Sequence, residues 1–192
     1  MFRLKNFMVT VVIVVLIHYW PLPAQDTSQS LQMLQEGRRL FHQAVFDESK
    51  IDSAKIIFQK LSKEFPHYEG RATAYLGALT ALEGKHAFWV YTKYKKVVKG
   101  LKIMDRGVKI DSTDLESRFI RGTTTYYLPG LFNRGQSTEA DFSFIRQQLP
   151  AQYKAYHPKM IINVINFFLE KQELNRDERK QLENLKHKLA DS

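Results

Sequence analysis

Residues that could carry out catalysis or bind a metal occur in the chain, but not at the spacings that this chemistry requires. The histidines, at positions 18, 42, 67, 86, 157 and 187, form no HExxH pair and no other zinc-ligand pattern. No Gly-x-Ser-x-Gly elbow is present, and "GLFNRG" lacks the lysine of a phosphate loop. Asp114 and Glu116 are close carboxylates, but at the start of a helical pattern they complement the helix dipole.

We therefore predict no catalytic residues, no metal ligands and no cofactor, and we do not expect an enzyme. An enzyme whose site is dispersed over several helices is the alternative, because catalytic groups are recognised by their geometry and not by their order in the chain. Binding is the chemistry that the remaining features favour.

One basic and aromatic stretch, "KHAFWVYTKYKKVVKG" at residues 85–100, is a candidate binding surface. On a helix, one face collects Tyr91 and an apolar seam, which predicts that this face is core. The seam consists of Val90, Tyr94, Val97, Leu101, Met104 and Val108. Most lysines fall on the opposite, solvated side, among them Lys95, Lys96 and Lys99.

Phe88 and Trp89 do not fit that seam, because on a helix they project away from it, beside Lys96 and Lys99. Two interpretations are open. Either the chain is still a loop here and tucks both rings in, or the rings stand out as an aromatic and cationic edge. Such an edge suits a membrane interface or an acidic partner.

A second candidate is "TTTYYLPGLFNRG", residues 123–135, whose apolar loop includes Leu131 and Phe132. The loop either plugs the gap between helix pairs or forms the lip of a binding surface. Arg118 and Arg121 precede it and either face a groove or pair with nearby acids. The apolar run "MIINVINFFL", residues 160–169, is too short to span a bilayer, so it is either an interior helix or a partner-binding face.

The N-terminus has the features of a targeting segment. Arg3 and Lys5 precede eleven uncharged residues at 7–17, and "PLPAQD" then breaks the pattern with Ala24 as a cleavage point. The run is shorter than the roughly 20 residues that cross about 30 Å of hydrocarbon. We predict a signal peptide at residues 1–24, and an uncleaved membrane anchor is the alternative. The protein is thus expected outside the cytoplasm, in the periplasm or beyond the cell.

The net charge and the absence of cysteine limit the classes of partner that the sequence favours. The chain has no cysteine and a formal net charge of +9, and removing Arg3 and Lys5 leaves 27 basic against 20 acidic residues, or +7. Because export separates the protein from nucleic acid, we do not expect nucleic acid as a partner. An acidic protein, an acidic polysaccharide or an anionic membrane surface fits the charge.

Helical periodicity runs through almost the whole of the mature chain. Apolar residues recur every three or four positions, as in the set Ile51, Ala54, Phe58, Leu61 and Phe65. Capping pairs are predicted at Ser49/Asp52, Thr113/Glu116, Thr138/Asp141 and Asn175/Glu178. We predict an all-α domain at 28–192 with helices near 28–47, 50–65, 69–84, 87–110, 114–128, 138–149, 159–171 and 175–190.

Paired helices invite a search for repeats. Three segments place a small residue four positions before a large one, and these pairs are Ala54/Phe58, Gly100/Met104 and Ala140/Phe144. With Pro66 after the first pair and Gly122 in the following helix, the chain resembles the tetratricopeptide repeat. The resemblance covers residues 33–150, with 158–190 as a final capping pair. It implies stacked antiparallel helical hairpins.

The same resemblance implies the mode of action, since members of that family hold peptides or proteins in a groove. We therefore expect an exported binding or scaffold module of the cell envelope, with a protein or peptide as partner. The alternative is a peripheral or N-terminally anchored membrane protein that uses the Phe88 and Trp89 edge at the lipid surface.

Overall fold

The apolar stripes of the sequence form eight α-helices in the part of the chain that the structure, a computed structural model, describes, residues 28–190. They are α1 (Ser28–Ala44), α2 (Lys50–Glu64), α3 (Glu69–His86), α4 (Val90–Ile110), α5 (Leu115–Tyr126), α6 (Gly135–Gln152), α7 (Pro158–Lys171) and α8 (Arg176–Ala190). Short 3₁₀ turns cover Pro66–Tyr68, Gly130–Phe132 and Tyr153–Ala155.

The predicted fold class is confirmed. Every predicted helix is present, and residues 28–190 contain no β-strand. The bounds differ by a few residues: α1 ends at Ala44 and not at 47, and α4 begins at Val90 and not at 87. The predicted targeting segment, residues 1–24, lies outside the described residues.

The helices bury the predicted stripes in two apolar clusters. The first joins α1 to α4 and includes Phe58, Leu61 and Met104. The second joins α5 to α8 and includes Phe142, together with Ile161, Ile165 and Phe168 of the "MIINVINFFL" run. That run therefore lies inside the protein, as the interior interpretation predicted.

Two hairpins pack a glycine of one helix against a phenylalanine of the next. A Cβ atom added to Gly37 in α1 would lie 2.8 Å from the Phe58 ring in α2, and one added to Gly122 in α5 would lie 2.7 Å from the Phe142 ring in α6. Such close approach explains why glycine stands there.

The register predicted for the third repeat pair is wrong. Ala140 is exposed and Phe144 only half-buried, while Phe142 is buried against Gly122. The buried residue four positions before Phe142 is Thr138, whose hydroxyl donates to the Thr125 hydroxyl of α5 at 2.7 Å. Local spacing alone does not distinguish these two registers, because both place an apolar ring on a helical stripe.

Glycines also set the closest helix pair, α3 and α4. Three points of contact are spaced seven residues apart on each helix, which run antiparallel: Gly70 with Gly107, Gly77 with Gly100 and Gly84 with Lys93. A Cβ atom added to Gly100 would lie 2.5 Å from the carbonyl oxygen of Gly77. The two backbones thus touch directly, with Met104 buried beside Gly77.

Of the four predicted capping pairs, only Asn175/Glu178 is a capping box. The Asn175 side chain accepts from the Glu178 backbone N–H at 2.9 Å, and Glu178 accepts from the Asn175 N–H at 2.9 Å. Ser49 makes no side-chain cap, and Asp114, not Thr113, caps α5 through the Ser117 N–H at 2.8 Å. Thr138 lies inside α6.

Candidate functional site

Three hairpin loops meet at one end of the molecule, which we call the aromatic end. It comprises Phe46 of the α1–α2 loop, Phe88 to Tyr91 and Tyr94 at the α3–α4 turn, and Tyr127 and Leu131 of the α5–α6 loop. Lys85 joins the first two loops: it donates to the carbonyl oxygen of Val45 at 2.7 Å and lies over the Phe46 ring. The Tyr94 ring stacks on Phe132 at 5.7 Å, which joins the second loop to the third.

Large apolar side chains at this end are left in solvent. Phe88 is 85% exposed, Trp89 71%, Val90 79% and Tyr91 70%. Elsewhere in residues 28–190 the exposed large apolar side chains are Leu31, Ile56, Ile110 and Tyr126, on four different helices. A contiguous exposed apolar patch on a soluble protein marks an interaction site, whereas single exposed residues are ordinary.

The predicted core seam of α4 is correct for four of its six residues. Val97, Leu101, Met104 and Val108 are buried, but Val90 and Tyr94 are exposed, and so is Tyr91. For Val90 and Tyr91 the reason is that α3 ends at His86 and packs through Gly84 against Lys93, so the start of α4 has no helix alongside it. Tyr94 lies beside α3 but turns to the α5–α6 loop, where it stacks on Phe132 and stays half-exposed. Both alternatives for Phe88 and Trp89 were partly right: the two residues lie in a turn before the helix, yet they are not tucked in.

Lysines flank the α3–α4 part of the aromatic end. Lys93, Lys95 and Lys99 are exposed, with Lys95 over the Tyr91 ring at 5.1 Å, and residues 84–104 contain no acid. Lys96, by contrast, pairs with Glu83 at 2.7 Å, and Lys55 pairs with the same carboxylate. Burial alone would raise the pKa of Glu83, but the hydrogen bonds from Lys55 and Lys96 hold it below its usual value. Lys96 is therefore engaged within the chain.

The two arginines predicted as candidates are also occupied internally. Arg121 binds the buried carboxylate of Asp141 at 2.7 and 2.8 Å and reaches Asp105 at 3.1 Å. Arg118 binds the same Asp141 at 3.0 Å and lies 4.0 Å over the Phe144 ring. This is the acid-pairing alternative, so we do not count Arg118 or Arg121 among candidate binding residues.

The α5–α6 loop was predicted either to plug the gap between helix pairs or to form the lip of a binding surface. Different residues of the loop fit each alternative. Leu128 and Phe132 are partly buried against the first apolar cluster and so fill the gap between helix pairs. Leu131 is 70% exposed and belongs to the aromatic end. Beside it lies an open cleft of about 330 Å³, whose lining includes Tyr126, Arg134, Glu139 and Gln172.

A buried ionic network, which the sequence did not reveal, ties α1, α3 and α5 together. Glu116 of α5 is fully buried and accepts from Arg38 of α1 at 2.6 Å and from the Tyr75 hydroxyl of α3 at 2.6 Å. Arg71 of α3 lies 3.2 Å from the same carboxylate. Burial and the neighbouring carboxylate raise the pKa of Tyr75, so its hydroxyl stays a donor.

Asp114 extends this network toward the second half of the chain. It accepts from Arg71 at 2.5 Å and from the Tyr156 hydroxyl at 3.0 Å, while the same hydroxyl accepts from the Leu115 N–H at 2.9 Å. Burial alone lowers the pKa of Arg71, but Glu116 and Asp114 outweigh it and raise that pKa. The charges of this network are therefore matched by partners within the chain, which favours a structural role over catalysis.

The network gives stability a dependence on pH. Burial raises the pKa of Asp114, but Arg71 and the hydrogen bonds from Ser117 outweigh it and hold the pKa below 3.8. Its stabilising contribution is therefore complete above the unfolded pKa and is lost as the pH falls through the lower, folded pKa. In urea titrations we expect the stability gap between wild type and Asp114→Asn to be constant from about pH 7 to 5 and to shrink below about pH 4. A gap that grows on acidification would contradict this assignment.

Comparisons with protein-family models, curated proteins and solved structures gave no match to the chain. None of the helices within residues 28–190 has the length and apolar character needed to cross a membrane.

Proposed function

We propose that the chain is a non-catalytic helical-repeat module that binds a partner in the cell envelope through its aromatic end. The observation that supports it most is the exposure of Phe88, Trp89, Val90 and Tyr91 next to one another in a single turn. Burying one such side chain contributes about 1.5–3 kcal/mol, whereas an exposed ion pair contributes about 0–1 kcal/mol. The aromatic side chains, more than the lysines, therefore supply the binding energy.

We also propose that the protein is exported and that its helices form tetratricopeptide-like repeats. The charged start and the apolar run at residues 7–17 support a signal peptide, which places the folded part in the envelope or outside the cell. The alternation of long helices with short loops supports the resemblance to tetratricopeptide repeats. In such a stack the loops of successive hairpins fall at the same end, which is how three loops come to share one surface.

Site-specific crosslinking in cells tests the proposal. A photoreactive residue replaces Tyr91 in the aromatic end or, as the control, Ile56 on α2, which is also exposed. We expect an envelope adduct at position 91 that is lost when Phe88 and Trp89 are both changed to alanine, and no such adduct at position 56. The same adducts at both positions, or none at either, would contradict the proposal.

The double change Phe88→Ala with Trp89→Ala is expected to separate binding from folding. Losing two buried aromatic contacts costs about 3–5 kcal/mol of binding, or a drop in affinity of a hundredfold or more. Because both rings are exposed in the free chain, the free energy of unfolding is expected to change by less than about 0.5 kcal/mol. Urea unfolding measures the second quantity, and a stability loss comparable to the binding loss would show that these rings support the fold.

A further inference from the structure

We propose that the partner of the aromatic end is an anionic lipid surface. This inference rests on the proposed function and names the partner that the aromatic end binds. The juxtaposition that points to lipid is a projecting turn of Phe88, Trp89 and Tyr91 beside three exposed lysines, Lys93, Lys95 and Lys99. Tryptophan and tyrosine favour the interface between headgroups and acyl chains, and lysine is attracted to anionic headgroups.

The shape of the aromatic end favours a membrane surface over a folded protein as its partner. Binding energy at protein interfaces concentrates on anchors and pockets that pack tightly together. Here the rings project from a turn at the tip of a hairpin, with Phe88 contacting Trp89 edge to face at 5.2 Å. The neighbouring loops add Phe46 and Leu131 at the same end, so several apolar side chains would meet one interface together.

The charges near the aromatic end also fit an anionic lipid surface. Residues 84–104 carry lysines without any acid, and Glu83, the carboxylate before them, is neutralised by Lys55 and Lys96. Long lysine stems lie along apolar surface while their ammonium groups stay at the headgroups. Lys95, held over the Tyr91 ring, already has this arrangement. Asp47 and Glu48 next to Phe46 are exposed acids, so the α1–α2 loop is expected to stay at the edge of the contact.

Fluorescence of Trp89 tests the inference in the full chain. The Trp20→Phe change makes Trp89 the one tryptophan, because the chain has two. Vesicles of phosphatidylcholine, with or without phosphatidylglycerol, carry brominated acyl chains that quench a tryptophan inserted among them. We expect blue-shifted and quenched Trp89 emission with the anionic vesicles only. This readout is independent of any attachment through residues 1–24, which would sediment the chain without quenching Trp89.

Two variants sharpen this experiment. Changing Lys93, Lys95 and Lys99 together to glutamine is expected to weaken partitioning about a hundredfold, since each lysine near an anionic surface contributes about fivefold. Changing Ile56 to alanine is the control and is expected to change nothing. Unquenched Trp89 in anionic vesicles would overturn the lipid inference, and so would equal quenching with and without phosphatidylglycerol.

The two proposals fail in different ways. If Trp89 is unquenched while the crosslinker at position 91 still gives an adduct that needs Phe88 and Trp89, the binding module stands and its partner is a protein. If both experiments fail, the aromatic end has no docking role. Dimers that form through position 91, with no quenching by lipid, would likewise overturn the lipid inference and identify a second copy as the partner.

Discussion

Replacing Gly100 with alanine is expected to lower the free energy of unfolding by about 1–2 kcal/mol, although alanine is the better helix former. The added Cβ atom would lie 2.5 Å from the Gly77 carbonyl oxygen, 2.7 Å from the Ala81 nitrogen and 2.9 Å from its Cβ atom. Two of these are backbone atoms, which no rotamer change can move, so α3 and α4 must separate. Overpacking of this kind costs about 1–3 kcal/mol and sometimes more, against a gain of about 1 kcal/mol from helix propensity.

Gly135→Ala is the matched control. Gly135 begins α6, and a Cβ atom added there meets nothing within 4 Å. The same chemical change is therefore expected to be neutral or to stabilise by a few tenths of a kcal/mol. Urea unfolding of both variants measures the difference. Equal stabilities for Gly100→Ala and Gly135→Ala would show that the two helices do not pack backbone against backbone.

Changing Glu116 to glutamine is expected to lower the free energy of unfolding by about 3–5 kcal/mol. The substitution keeps the size of the side chain but removes the charge that holds Arg38 and Arg71 together in a buried site. Breaking one partner of a buried ion pair leaves the others desolvated without compensation, which is the costly case. The Tyr75 hydroxyl also exchanges a charged acceptor for a neutral amide oxygen, so the contacts of α1 and α3 with Glu116 weaken together.

The control for this prediction is Glu139→Gln, which removes a carboxylate paired with Arg146 at 2.7 Å on the surface. Its side chain is largely exposed, and pairs of this kind contribute about 0–1 kcal/mol. Thermal or urea unfolding at low and high salt compares the two. If Glu116→Gln costs no more than Glu139→Gln, the buried network does not hold the three helices together.

The helices could be predicted from the sequence because their burial follows a local period. Ile51, Ala54, Phe58 and Leu61 recur at helical spacing and are all buried. The same reasoning failed at Val90, which continues the period beyond the end of the neighbouring helix α3. A period shows which face of a helix is apolar, but burial also requires another element beside that face.

Ion pairs between residues far apart in the chain could not be predicted from the sequence. Glu116 and Asp141 each follow a threonine by three residues, so both matched the spacing of a capping box. In the structure both are buried and form ion pairs with arginines, Arg38 and Arg71 at one site and Arg118 and Arg121 at the other. Nothing in the local spacing distinguishes an acid that caps its own helix from one that pairs with a residue far along the chain.

One signal for the closest helix pair was available in the sequence. Gly70, Gly77 and Gly84 recur every seven residues in α3, and Gly100 and Gly107 continue the spacing in α4. Glycines repeated on one helical face allow backbones to touch, so two such helices joined by a short turn predict a tight antiparallel pair. The repeat pattern identifies Gly100 as a small packing residue but does not identify its partner on α3, Gly77.

The most direct test of the docking surface uses the absence of cysteine from the chain. Val90→Cys places a unique thiol within the aromatic end while keeping Phe88 and Trp89, and Ile56→Cys places one on α2, at a position that is also exposed. The rate of labelling by a polar thiol reagent is measured for the purified protein and for the protein in its native envelope. We expect labelling at position 90 to slow at least tenfold in the envelope while position 56 is unchanged, because about 1.4 kcal/mol of protection gives that factor. Equal labelling of position 90 in the two preparations would contradict a docking role for the aromatic end.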